Sequence, residues 1–111
     1  MLPDDPFPGP VLRWFEARAK PGRGDDLAKK FATTSVDVVR DQAGNIGHFH
    51  GREVAGHGDV LVFASVWTSL DAIKERFGDA WQSSYLPAGY DDLIAECSVR
   101  HFDLASGWPQ P

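Results

Sequence analysis

A single cysteine, Cys97, stands among the 111 residues, so no internal disulfide and no multi-cysteine zinc or iron–sulfur site can form. Basic charge is also scarce. Eleven Lys and Arg against sixteen Asp and Glu leave a net charge of -5, which gives no positive field for collecting nucleic-acid phosphates. No apolar run is long enough to cross a bilayer, and Met1 to Pro10 shows no basic stretch followed by an apolar one, as a secretion signal would. The expectation is a cytoplasmic protein with no nucleic-acid or membrane partner.

What is present suits one core. The chain is 42% hydrophobic and 12% aromatic, at a length that rarely divides into two domains. Residues 1–10 hold four prolines and read as an extended arm, 11–104 as the domain, and 105–111 as a tail whose Gly107, Pro109 and Pro111 discourage regular structure.

Val11 to Ala19 reads as a strand ended by Pro21-Gly22. From Asp25 to Arg40, apolar Leu27, Ala28, Phe31, Ala32, Val38 and Val39 recur near helical spacing. Gly44-Asn45 punctuates the chain, and Ile46 to Val54 and Val60 to Trp67 form a hairpin about Gly56, Gly58 and Asp59. Thr68 and Asp71 resemble a capping box for a second helix carrying Leu70, Ile73 and Phe77, which Gly78 ends or kinks. Ala95 to Leu104 is the last strand. The order β-α-β-β-α-β gives an α+β, ferredoxin-like fold with an antiparallel four-stranded sheet and both helices on one face.

The other face should then be polar, and it is not. On the third strand Val60, Val62, Ala64 and Val66 point one way and Leu61, Phe63 and Trp67 the other. The first strand likewise sets Val11, Phe15, Ala17 and Ala19 against Leu12 and Trp14. Symmetric pairing is the commonest cover for such a face, so a homodimer is expected.

Leu12-Arg13-Trp14-Phe15-Glu16-Ala17-Arg18 before Pro21-Gly22, then Gly44-Asn45-Ile46-Gly47, then Phe63-Ala64-Ser65-Val66-Trp67 leading into Leu70-Asp71-Ala72-Ile73, resemble in their order the antibiotic-biosynthesis monooxygenase-like branch of the dimeric α/β-barrel superfamily. The resemblance covers about Val11 to Leu104 and implies two sheets packed face to face, with a pocket in each subunit between helices and sheet.

Some members oxidise aromatic polyketides without metal or flavin, because the substrate's phenolate or enolate gives an electron to dioxygen. Such a site excludes water, stacks a flat ring and stabilises an anion. The resemblance implies Trp67 as stacking wall, extended by Trp14, Phe77, Trp81 and Tyr85. Arg13, Asn45 or His48 would bind the substrate oxygen, and histidine is the side chain most often used as a general base, which makes His48 the candidate for that role. Trp67, His48 and Asn45 are thus the candidate catalytic residues, with no cofactor and a flat aromatic or quinone-like ligand. Haem-degrading members use an asparagine on the first strand, a tryptophan ending the third and a histidine about ten residues later. Trp67 alone matches, since the first strand lacks asparagine and Phe77 stands at the histidine's place.

Two further readings concern charge and metal. His48 and His50 share a strand face and His101 could lie on an adjacent strand, but ordinary strand histidines are favoured and no metal site is assigned. Glu16 and Arg18 share a face as a possible, solvated ion pair. The alternative to an enzyme is a noncatalytic ligand-binding or interaction dimer.

Overall fold

The computed structural model describes residues 9–104. Nearly all of the proline-rich arm and the whole 105–111 tail lie outside the described residues. Strand β1, Val11–Ala19, is followed by a long helical segment made of α1, Gly24–Lys30, a π-helical turn, Phe31–Ser35, and α2, Val36–Val39. The hairpin β2, Asn45–Arg52, and β3, Val60–Trp67, leads to α3, Leu70–Phe77, and a 3₁₀ turn, Gly78–Ala80, before β4, Ile94–Asp103. The sheet runs β2-β3-β1-β4 with every neighbouring pair antiparallel. This is the ferredoxin-like arrangement, with β1 and β3 at the centre.

Alternation decides which side chains meet the helices. Val11, Arg13, Phe15 and Ala17 of β1 lie opposite Trp67, Ser65, Phe63 and Leu61 of β3 in one register. These residues face the helical layer. Phe31, fully buried, centres the core with its ring 5.8 Å from that of Phe15, 5.9 Å from Phe63 and 6.5 Å from Tyr90. Leu27, Val39, Leu70, Ile73 and Leu93 complete it.

The helical segment departs from a plain α-helix at the point where its apolar pattern breaks. Between Ala32 and Val38 the inward position falls to Ser35, which is buried. The π turn spans this stretch, and Leu27, Phe31, Ser35 and Val39, four residues apart, form the buried stripe on either side of it. The widened turn disturbs the usual backbone ladder, and the Lys30 carbonyl accepts a hydrogen bond from the Tyr90 hydroxyl at 3.1 Å.

The second helix starts one residue later than the Thr68 capping box implied. Ser69 is the N-cap, with extended backbone and a hydroxyl accepting the Ala72 amide at 3.2 Å. Gly78, at φ 73°, ends the helix in a conformation that favours glycine. Gly44, at φ 85°, is held more tightly still, because a β-carbon there would stand 2.5 Å from that of Ala72.

Across the sheet from the helices lie Leu12, Trp14, Phe49, Val62, Ala64, Val66 and Phe102, aligned by strand register. Phe49 is 47% exposed and Phe102 42%. The apolar second face expected from the sequence is therefore real, exposed in the single chain at Phe49 and Phe102, with Leu12, Trp14 and Val62 half-buried and Ala64 and Val66 buried at its centre. Glu16 and Arg18 do share that face, but Arg18 pairs with Glu96 at 2.9 Å and Glu16 lies 4.0 Å from Arg100.

Candidate functional site

One row of polar side chains crosses the sheet beneath the helices. Register places His48, Ser65, Arg13 and His101 side by side on β2, β3, β1 and β4. Adjacent strands lie about 4.8 Å apart, so His48 and His101 are roughly 14 Å from each other. The three strand histidines do not converge, and no metal-holding group of His, Cys, Asp or Glu occurs among the described residues.

Arg13 is the centre of this row. It is only 5% exposed, and among the described residues no carboxylate pairs with it. Its guanidinium donates to the carbonyls of Trp81 at 2.5 Å and Ser83 at 3.1 Å. The same group lies 3.1 Å from His101 Nε2, which must accept, because arginine has no acceptor. Burial, reinforced by the nearby Arg76 charge, lowers the Arg13 pKa to about 10, which leaves it cationic at neutral pH. Burial and the Arg13 charge together hold His101 at about 4, so its imidazole is neutral there.

Above Arg13 a small cavity of about 40 Å³ opens between the sheet and the helical layer. Arg13, Phe15, Phe63 and Ser65 form its floor, Ser35, Val38 and Val39 one wall, and Phe77, Tyr85, Pro87 and Tyr90 the remainder. The Arg13 guanidinium lies over the Phe77 ring, and Tyr85 meets that ring edge-on with centroids 6.0 Å apart. Opposite, Ser35 Oγ and Tyr90 Oη are 2.6 Å apart. Because the Tyr90 proton goes to the Lys30 carbonyl, Ser35 is the donor in that pair. Burial raises the Tyr90 pKa, which keeps the phenol protonated.

Of the residues singled out by sequence, Arg13, Phe77 and Tyr85 come together at this cavity. The others lie elsewhere. Trp67 is fully buried beneath α3, its ring edge-on to Phe77 at 5.8 Å and its Nε1 donating to Ser65 Oγ at 2.8 Å. Asn45 donates to the carbonyls of Gly47 and Val66, both at 3.2 Å, where the β2–β3 register shifts. His48 and His50 are exposed and stack against Phe63 from the sheet edge. Trp14 points to the open face, with Nε1 donating to Glu16 at 3.2 Å. Trp81 packs its ring against His101, with centroids 5.0 Å apart, and reaches Arg13 through its carbonyl.

Ser35, Ser65 and Tyr90 were not among the sequence candidates, nor was His101 as a partner of Arg13. Strand parity carries a signal for Ser65, as it does for Arg13. Arg13 and Ser65 are the polar members of otherwise apolar rows, and buried charge is rare enough to mark a position. Ser35 stands four residues from both Phe31 and Val39, on the buried stripe of its helical segment, whereas Tyr90 lies in a loop that helical periodicity does not reach.

No family model matches the sequence, and no curated protein matches it. Solved structures do match in fold. A variant of SnoaB, a cofactor-independent oxygenase from Streptomyces nogalater, superposes with a TM-score of 0.70 at 20% identity, over 91% of this chain and 98% of that one. A Caulobacter crescentus protein provisionally described as an antibiotic biosynthesis monooxygenase gives 0.68 at 17% identity, over 90% and 93%. PA3566 from Pseudomonas aeruginosa gives 0.68 at 13% identity, over 87% and 95%. With its four-stranded antiparallel sheet and its helices on one face, the chain therefore has the fold of the antibiotic-biosynthesis monooxygenase-like proteins.

Proposed function

We propose that the protein oxidises a flat phenolic or quinol compound with dioxygen, without a resident cofactor, in the cavity above Arg13. The observation that carries this reading is a buried, cationic arginine with no carboxylate partner among the described residues, opening onto aromatic walls. A phenolate or enolate seated on Arg13 would be held as the anion, the electron-rich form that reacts with dioxygen. Phe77 and Tyr85 would stack the ring and shield it from water. The fold shared with a cofactor-independent oxygenase supports the same chemistry.

The reaction balances without other participants. The substrate anion passes an electron to dioxygen, the radical pair joins as a peroxide, and loss of water leaves a ketone. A methylene between two rings becomes a carbonyl, one oxygen atom entering the product while the other departs with the two hydrogens. The reading also includes a second copy of the chain over the open sheet face, and a cytoplasmic location. No described helix is long and apolar enough to cross a membrane. The test is oxygen uptake by the purified protein across a panel of anthrones and quinols. Product ketone in step with oxygen supports the proposal, and no uptake with any of them removes it.

A noncatalytic binding dimer is the second reading. One observation favours it, namely that Trp67, His48 and Asn45 are not among the residues lining the cavity. It expects a ring compound to be bound and recovered unchanged, with no oxygen consumed.

A further inference from the structure

The cavity of about 40 Å³ has room for a water or two, whereas pockets for drug-sized ligands run from about 300 Å³ upward. An aromatic ring can enter only if a wall moves. The wall best placed to move is the loop 81–88 between α3 and β4, where Tyr85 is half exposed. Backbone hydrogen bonds along it are local, from Trp81 to Gly78, Ser83 to Ala80 and Tyr90 to Pro87. Glycines with positive φ, Gly78 and Gly89, bracket it, and buried Tyr90 anchors the chain beyond.

What ties this loop to the sheet is Arg13, through the Trp81 and Ser83 carbonyls. Two weaker contacts join the segment to β4, Cys97 Sγ to Ser84 Oγ at 3.6 Å and the Trp81 ring edge-on to that of His101 at 5.0 Å. Four other arginines pair closely with carboxylates, Arg18 with Glu96, Arg23 with Asp26, Arg40 with Asp37 and Arg52 with Asp25. Arg13 holds neutral carbonyls instead. A carboxylate or phenolate adds to the guanidinium hydrogen bond the attraction of opposite charges, strengthened in a buried, low-dielectric site, which a neutral carbonyl lacks. An anionic oxygen reaching Arg13 would therefore displace the loop carbonyls, while a neutral oxygen would gain little.

We propose that Arg13 is a charge-operated latch on the 81–88 loop, released by the anionic oxygen of a flat aromatic ligand, so that the pocket admits aromatic monoanions and excludes their neutral isosteres. This rests on the cavity being the ligand site, as in the proposed function, and adds that ligand charge opens it.

The test compares 2-naphthoate with 2-naphthamide, two rings of the same shape that differ in charge, by calorimetry at neutral pH, with hydrogen exchange of the loop amides followed in parallel. The expected result is tighter binding of naphthoate by about tenfold or more, together with faster exchange across residues 81–88 when it is bound. Arg13→Gln should abolish the preference and show the faster exchange without ligand. Arg13→Lys should keep a preference for naphthoate while its loop is already released, because one ammonium cannot reproduce the planar fork that reaches both carbonyls. Equal binding of the two probes overturns charge selection and leaves the ring pocket standing. Naphthoate binding with slowed loop exchange, or with affinity unchanged in Arg13→Gln, overturns the latch. Binding of neither probe overturns both the latch and the pocket.

Discussion

The guanidinium carbon of Arg13 lies 3.8 Å from the centroid of the Phe77 ring, so the buried charge rests on an aromatic face rather than on a carboxylate. Arg76 reaches the same ring at 5.2 Å and donates to the Val38 carbonyl at 2.8 Å. Phe77 thus joins α3, α2 and the sheet through two cations. Replacing it by leucine keeps apolar volume but removes the face. Phe77→Leu is expected to cost about 1–2 kcal/mol, read by urea unfolding, and to weaken naphthoate binding several-fold.

His101 should make stability fall in mild acid. Its folded pKa of about 4 lies below the ordinary 6.5, so the unfolded chain binds the proton more readily between those values. The contribution is fully present above 6.5, declines as pH drops toward 4, and is gone below. The thermal midpoint should decline across that window, and His101→Gln should flatten the decline. An NMR titration placing the His101 midpoint near 6.5 would contradict this.

Ser35 and Tyr90 form a buried pair that ties the π turn to the end of the 81–90 segment. Tyr90→Phe leaves the Ser35 hydroxyl and the Lys30 carbonyl without their partner and should cost about 1–3 kcal/mol in chemical denaturation. Ser35→Ala should cost less, since Tyr90 keeps its bond to Lys30. The double variant should cost less than the sum of the two, because each deletes the same hydrogen bond.

The open sheet face carries Leu12, Trp14, Phe49 and Phe102 in register. Under the proposed pairing, light scattering should give twice the chain mass, and Trp14→Glu should return the mass of one chain while leaving the circular dichroism of the fold unchanged. A monomeric parent protein would contradict the pairing.

The sheet was legible because its strands combine β-branched and aromatic residues with turn chemistry at both ends. β1 and β3 fall on the expected residues, Val11–Ala19 and Val60–Trp67, and β2 and β4 begin one residue early. The apolar second face followed from parity alone. The site was harder to read, for reasons that differ by residue. Trp67 ends an aromatic strand and attracts attention as a stacking wall, yet α3 covers it and its indole donor is taken by Ser65. Asn45 stands where a turn meets a strand, and its amide closes the local backbone. Tyr90 lies in a stretch with no periodicity, so only the three-dimensional path of the loop brings it to Ser35. Arg13 could have been weighted more heavily, since a charged side chain shares its strand face with Val11, Phe15, Ala17 and Ala19.

The most direct test is a crystal structure of the protein grown with 2-naphthoate. The carboxylate is expected within hydrogen-bonding distance of the Arg13 guanidinium, with the naphthyl ring against Phe77 and the Trp81 and Ser83 carbonyls moved away from Arg13. Naphthoate seated on the open sheet face, or Arg13 still bonded to both carbonyls beside an occupied pocket, would contradict the account.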